Sequence, residues 1–349
     1  MFTWDESSTT FAATANRNGP FRTVELMPRV VVLATGGTIS SRRTNGAVTA
    51  VDDAAALVAA VELSDDIGLE QHDVLRVGSY RMSFADLRTL AEEVTRQLDR
   101  GDVDGVVITH GTDALEETAI LLDLIHTGDR PVVLTGAQRA ADIADTDGPR
   151  NLRDAIMVAA DPAARGHGTM VVFGGSVHAA RGVRKSHTVD LAAFTSPAGT
   201  IGDVYTGSPR LHSVPARPAP LALPDARFDA VRVDIVAAYP GGDDLLLRAA
   251  VAAGASGIVL AAMGIGNAPP GVADTVAEIT RAGVVVALST RVAAGPILPV
   301  YGDGGGADLV VAGAVPVTLP ASQTRIALAL LLSSDRSSAD VVADLDAYA

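Results

Sequence analysis

The chain has 349 residues, 48% of them hydrophobic but only 4% aromatic, and a formal net charge of −14. That length suits about two domains with cores of Val, Ala, Leu and Ile, as in parallel sheets covered by helices, while the acidity argues against nucleic acid or an anionic membrane as partner. No cysteine occurs, which excludes disulfides, a thiol nucleophile and thiolate metal sites, so any nucleophile is an oxygen or an amine.

Residues 1–28 lack the basic start and apolar run of a secretory signal and are expected to form a disordered polar extension, with Met27 as the true start. No apolar stretch approaches the roughly 18 residues that a bilayer span needs, so a soluble, cytoplasmic protein is expected. "RVVVLATGG" (29–37) predicts a strand ending at a glycine turn, and "GVVITHGTD" (105–113) repeats that plan. "ALEETAILLDLIH" (114–126) has helical spacing with acids in its first turn. "PVVLTGAQR" (131–139) predicts a third strand, "PRNLRDAIMVAAD" (149–161) a helix with proline near its start, and "GTMVVFGGS" (168–176) a fourth strand. Prolines and a lack of periodicity mark 207–228 as a linker. Strand and helix patterns then alternate again, with strands at 231–239, 257–264 and 284–291, helices at 243–254 and 271–283, and a final helix at 337–349. The expected fold class is α/β in two domains. A larger, doubly wound parallel-sheet domain covers 29–206, and a smaller α/β domain covers 229–349.

Sites in open α/β sheets lie at the carboxyl ends of the strands. Three such ends are rich in threonine and glycine: Thr35 and Thr38 flank Gly36-Gly37, Thr109, His110, Thr112 and Asp113 follow the second strand, and Thr135-Gly136 end the third. Hydroxyls beside accessible backbone N–H groups are what acyl transfer requires. Helix capping by Thr38 and by Thr112-Asp113 is the alternative. No G-x-x-x-x-G-K-[ST] occurs, "GIGNAP" (264–269) is a poor dinucleotide fingerprint, and neither G-x-S-x-G nor H-E-x-x-H is present. The seven histidines show no ligand-like pair, so no metal site is expected. Lys185, in "RGVRKSHTVD", is the only lysine in the chain. An amine can be deprotonated in a protein and a guanidinium cannot, which makes a lone lysine among arginines either a proton carrier or an accident of composition.

"ATGGTIS", "THGTDALEETA", "DGPRNLRDA" and "RKSHTVDLAAFTSP" together resemble the bacterial-type L-asparaginase (asparaginase/glutaminase) family, and the resemblance runs from about residue 29 to the C-terminus. It implies hydrolysis of an amino-acid side-chain amide through an acyl-enzyme, without cofactor or metal. Thr38 matches the nucleophile, and Thr112, Asp113 and Lys185 match a Thr–Lys–Asp triad. Thr112 is then the second candidate nucleophile or the activator of water. Ser79, followed by Tyr80, matches the serine that binds the substrate carboxylate, and Asp113 is expected to meet its ammonium. Asn267 matches an asparagine that the second domain lends to a neighbouring subunit. The implied partners are L-asparagine and further copies of the chain, as a dimer or a tetramer of two tight dimers.

Three positions depart from the family pattern. The loop 40–50 lacks the tyrosine usually supplied by a mobile lid, Tyr80 stands where a residue such as glutamine usually follows the serine, and the neighbouring-subunit acid of many periplasmic members has no clear match in 289–306. Tyr301 is expected to reach a neighbour's site in compensation. An amidase for another substrate (L-glutamine, or as a tRNA amidotransferase subunit), a non-catalytic Asn/Asp-binding protein and a nucleotide-binding protein are the competing readings.

Overall fold

The computed structural model describes residues 27–44, 47–63 and 66–349. Residues 1–26 of the expected extension therefore lie outside the described residues. Eight strands form the first sheet, in the order Ser208–Leu211, Gly202–Tyr205, Ser176–Ala179, Thr169–Phe173, Val132–Thr135, Gly105–Thr109, Arg29–Gly36 and Gly68–Val77. The last five of these run parallel and the first three extend the sheet antiparallel.

Side chains alternate across a strand, so each central strand feeds two cores. Val31 and Leu33 pack on one face beneath the helices Phe84–Leu98 and Leu115–Ile125. Val30, Val32 and Ala34 pack on the other, against Gly148–Ala160 and the short helix Ala54–Ala59. Burial on both faces explains why these strands read as unbroken apolar runs.

The second domain has four parallel strands, Val233–Ala237, Gly257–Ala262, Val285–Thr290 and Val315–Pro316. Helices Leu245–Ala252, Val272–Arg281 and Gly306–Val311 cover one face. Ala321–Leu332 and Ser338–Tyr348 cover the other, and Ala321–Leu332 also packs on Leu115–Ile125 of the first domain. One apolar cluster thus runs from the first sheet to the second.

The span 207–228 is not wholly a linker. Ser208–Leu211 pairs with Gly202–Tyr205 as the edge strand of the first sheet, and Ala226–Ala230 is a short helix whose Phe228 stacks on Phe84 at 4.4 Å. Among the described residues no helix is long and apolar enough to cross a membrane.

Strand order places the crevice. From Arg29–Gly36 the chain passes to Gly68–Val77 on one side and returns to Gly105–Thr109 on the other. The loops leaving these strands diverge there and open a cleft at their carboxyl ends.

Candidate active site

Gly36 and Gly37 end the first strand with φ of 105° and 82°, a region costly for any residue bearing a Cβ. A Cβ on Gly37 would stand 2.4 Å from the backbone N and Cα of Gly111. The two threonine loops therefore touch backbone to backbone, which puts Thr38 and Thr112 in the lining of one cleft of about 350 Å³. Ser79, Tyr80 and Asp113 line the same cleft. A volume of this size suits a small metabolite.

Neither threonine caps a helix with its side chain. Thr38 opens the 3₁₀ turn Thr38–Ser40, and the helix Leu115–Ile125 has no side-chain cap of its own. Instead the N–H groups of Asp113 and Ala114 donate to Ser79 Oγ at 3.2 and 3.3 Å. Thr38 is partly exposed, and among the described residues its hydroxyl makes no hydrogen bond.

Lys185 Nζ donates to Thr112 Oγ1 at 2.7 Å and to Asp113 Oδ1 at 2.8 Å. Three further residues fix this lysine. Its backbone N–H donates to Glu116 Oε2 at 2.6 Å, while Glu116 Oε1 accepts from Ser322 Oγ at 2.5 Å. The fully buried Gln323 donates to the carbonyls of Ala180 and Val183 and accepts from the Gly182 N–H, clamping the turn before Lys185. Ser322 and Gln323 belong to the helix Ala321–Leu332, so the second domain holds the lysine of the first in place.

Gln138 stands on the other side of Thr112, its Oε1 accepting from Thr112 Oγ1 at a long 3.4 Å. Asp147 receives the N–H groups of Gln138 and Arg139, and Asn151 bridges Asp147 and the Gly136 carbonyl. This gives "DGPRNLRDA" its local role, anchoring the loop after the third parallel strand. Gln138, Glu116 and Gln323 were missed from sequence. Asp147 and Asn151, one helical turn apart at a helix start, carried the only local signal.

His110 is buried, and burial pushes its imidazole down to about 4. Its Nδ1 is 2.7 Å from the Gly111 carbonyl, so that nitrogen carries the proton, and Nε2 faces the Thr118 hydroxyl at 3.0 Å. Both nitrogens are thus engaged in shaping the loop. Glu117 is mostly buried, and burial, aided by Glu116 and Asp113, pushes its carboxyl up to about 7. Among the described residues its Oε2 has no hydrogen-bond partner.

Asn267 and Tyr301 lie in the second domain, outside the lining of this cleft. Asn267 Oδ1 accepts from the Gly306 N–H at 3.1 Å, and the Tyr301 side chain is exposed. The loop 40–50 forms the hairpin Ser41–Thr44 and Ala47–Ala50, tied to the body where the Arg43 N–H meets Asp142 Oδ2 at 2.9 Å.

Comparison with known proteins agrees with this layout. The family profile "Asparaginase, N-terminal" matches residues 29–217, and "Glutaminase/Asparaginase C-terminal domain" matches residues 232–343. The chain belongs to the asparaginase family. Among family members it is similar to "Probable L-asparaginase" of Deinococcus radiodurans, at 39% identity over 319 residues covering 90% of this chain and 96% of that protein. It is 37% identical over 281 residues to "L-asparaginase 2" of Escherichia coli, covering 77% and 79%. The crystal structure of a "Probable Cytoplasmic L-asparaginase" from Campylobacter jejuni superposes with a TM-score of 0.81 at 29% identity, covering 91% of this chain and 99% of that one.

Proposed function

We propose that the protein is an L-asparaginase that hydrolyses L-asparagine to L-aspartate and ammonia. The observation that carries this reading is the Thr112–Lys185–Asp113 chain, at 2.7 and 2.8 Å, whose Thr112 and Asp113 line the same cleft as Thr38. In the proposed reaction Thr38 Oγ bonds to the amide carbon and the C–N bond breaks, the nitrogen leaving with an added proton as ammonia. Water then attacks the ester, releasing aspartate and restoring the hydroxyl. Thr112 passes protons through Lys185, whose charge Asp113 balances, and serves as activator of water or as the second candidate nucleophile. The Thr112 N–H donates to no acceptor among the described residues and is offered as an oxyanion donor, a contact worth about 3 kcal/mol in comparable sites. Ser79 would receive the α-carboxylate with Tyr80 beside it, and Asp113 the α-ammonium.

Asn267 and Tyr301 fit this reading as residues lent to a neighbouring copy in a dimer or tetramer, and a cytoplasmic location accords with the similarity to the probable cytoplasmic L-asparaginase from Campylobacter jejuni. L-Glutamine is the second substrate to test, since the second domain matches a family named for both glutaminases and asparaginases. Rapid-quench mass spectrometry with L-asparagine should trap an adduct of aspartyl mass on Thr38, absent in Thr38→Ala. Finding it on Thr112 would transfer the nucleophile's role. Tyr301→Phe in the same assay should lower turnover, and an unchanged rate would remove Tyr301 from the site.

A further inference from the structure

Two arginines stand at the mouth of the cleft, outside the triad and its supports. Arg81 closes the 3₁₀ turn Ser79–Arg81, and Arg76 sits near the end of the strand Gly68–Val77. Both are exposed, and both line the cleft with Ser79 and Thr38. Arginines elsewhere in the first domain commonly sit in close ion pairs, as Arg29 does with Asp102 at 2.7 Å and Arg100 with Glu70 at 2.8 Å. Arg81, by contrast, makes no ion pair among the described residues, and Arg76 has one loose contact, 3.7 Å from Asp73. Among the described residues the acid in the cleft lining is Asp113, which Lys185 already pairs. In a chain of net charge −14 the cleft mouth is thus a local positive patch. Such a patch draws in anionic groups, and a guanidinium fork matches a carboxylate.

We propose that Arg76 and Arg81 are specificity-determining residues that collect the free α-carboxylate of the amino-acid substrate and hand it to Ser79. This rests on the preceding functional reading. Ser79 Oγ already accepts from the Asp113 and Ala114 N–H groups, so its single hydroxyl proton is one donor for a group that accepts several bonds. The arginines supply the remaining donors and the charge. Substrates lacking that carboxylate are disfavoured at binding, with chemistry at the side-chain amide unaltered.

The test compares L-asparagine with its methyl ester, which keeps the amide and the ammonium but has no α-carboxylate. Ammonia release is followed for the unaltered protein, Arg76→Gln, Arg81→Gln, the double variant and Arg81→Lys. For L-asparagine the double variant should raise KM roughly tenfold with kcat nearly constant, and Arg81→Lys should recover much of the loss relative to Arg81→Gln. For the methyl ester the same substitutions should leave KM unchanged. Added salt should raise KM for L-asparagine in the unaltered protein and much less in the double variant. An unchanged KM for L-asparagine, an equal rise for both compounds, or a fall confined to kcat would each overturn the proposal. No ammonia from L-asparagine with the unaltered protein would remove the reading beneath it, whereas turnover without discrimination would remove this inference alone.

Discussion

Lys185 is the only lysine in a chain otherwise supplied with arginine, and the structure places its amine between Thr112 and Asp113. Residue chemistry was legible there because the choice between an amine and a guanidinium is itself a chemical statement. Gln138 and Glu116 were not legible, because a polar residue beside a strand end or in a helix's first turn has many uses and only folding selects one. Glu117 offers a test at this scale. The folded protein holds its proton up to about pH 7, whereas the ordinary glutamate value is 4.5, so stability falls as pH rises through that window and the cost is complete above it. The facing charges are Glu116 and Asp113, which oppose ionisation, and Arg325, which favours it. Glu117→Gln should therefore stabilise the protein at pH 8 by on the order of 1–3 kcal/mol, with the difference vanishing near pH 4. Denaturant titrations at the two pH values check this, and an equal effect at both would contradict it.

Elements divided the same way. Central parallel strands announced themselves through unbroken Val, Ile and Leu because both faces are buried. The edge strand Gly68–Val77 did not, since "GLEQHDVLRV" is only partly buried along its length. The helix Ala321–Leu332 was equally silent. It is wedged between the two domains and buried nearly all round, so no polar stripe marks a helical period. Its function surfaces in Gln323, whose amide binds carbonyls of the turn leading to Lys185. Gln323→Leu leaves the Gly182 N–H and those carbonyls without buried partners. A destabilisation of about 2–3 kcal/mol is expected, together with a loss of kcat larger than any change in KM. Steady-state kinetics beside thermal melts measure both, and full kcat in a destabilised variant would show that the clamp does not position the lysine.

For the whole molecule, the sequence conveyed two α/β domains but not the apolar cluster that joins them, because a contact between Leu115–Ile125 and Ala321–Leu332 spans about two hundred residues and leaves no local pattern. Such a shared core makes separate unfolding of the domains unfavourable. Scanning calorimetry should show one transition with calorimetric and van't Hoff enthalpies in agreement, and two resolved transitions would contradict the shared core. The same junction brings a lysine held by the second domain to a threonine–aspartate pair of the first, which is the geometry on which the amidohydrolase account stands. The most direct test is ammonia release from L-asparagine by the unaltered protein and by Lys185→Arg, with folding of both confirmed by their melting curves. The account predicts turnover in the first and a loss of at least a hundredfold in the second, because a guanidinium keeps its proton. Equal rates in the two proteins would contradict it.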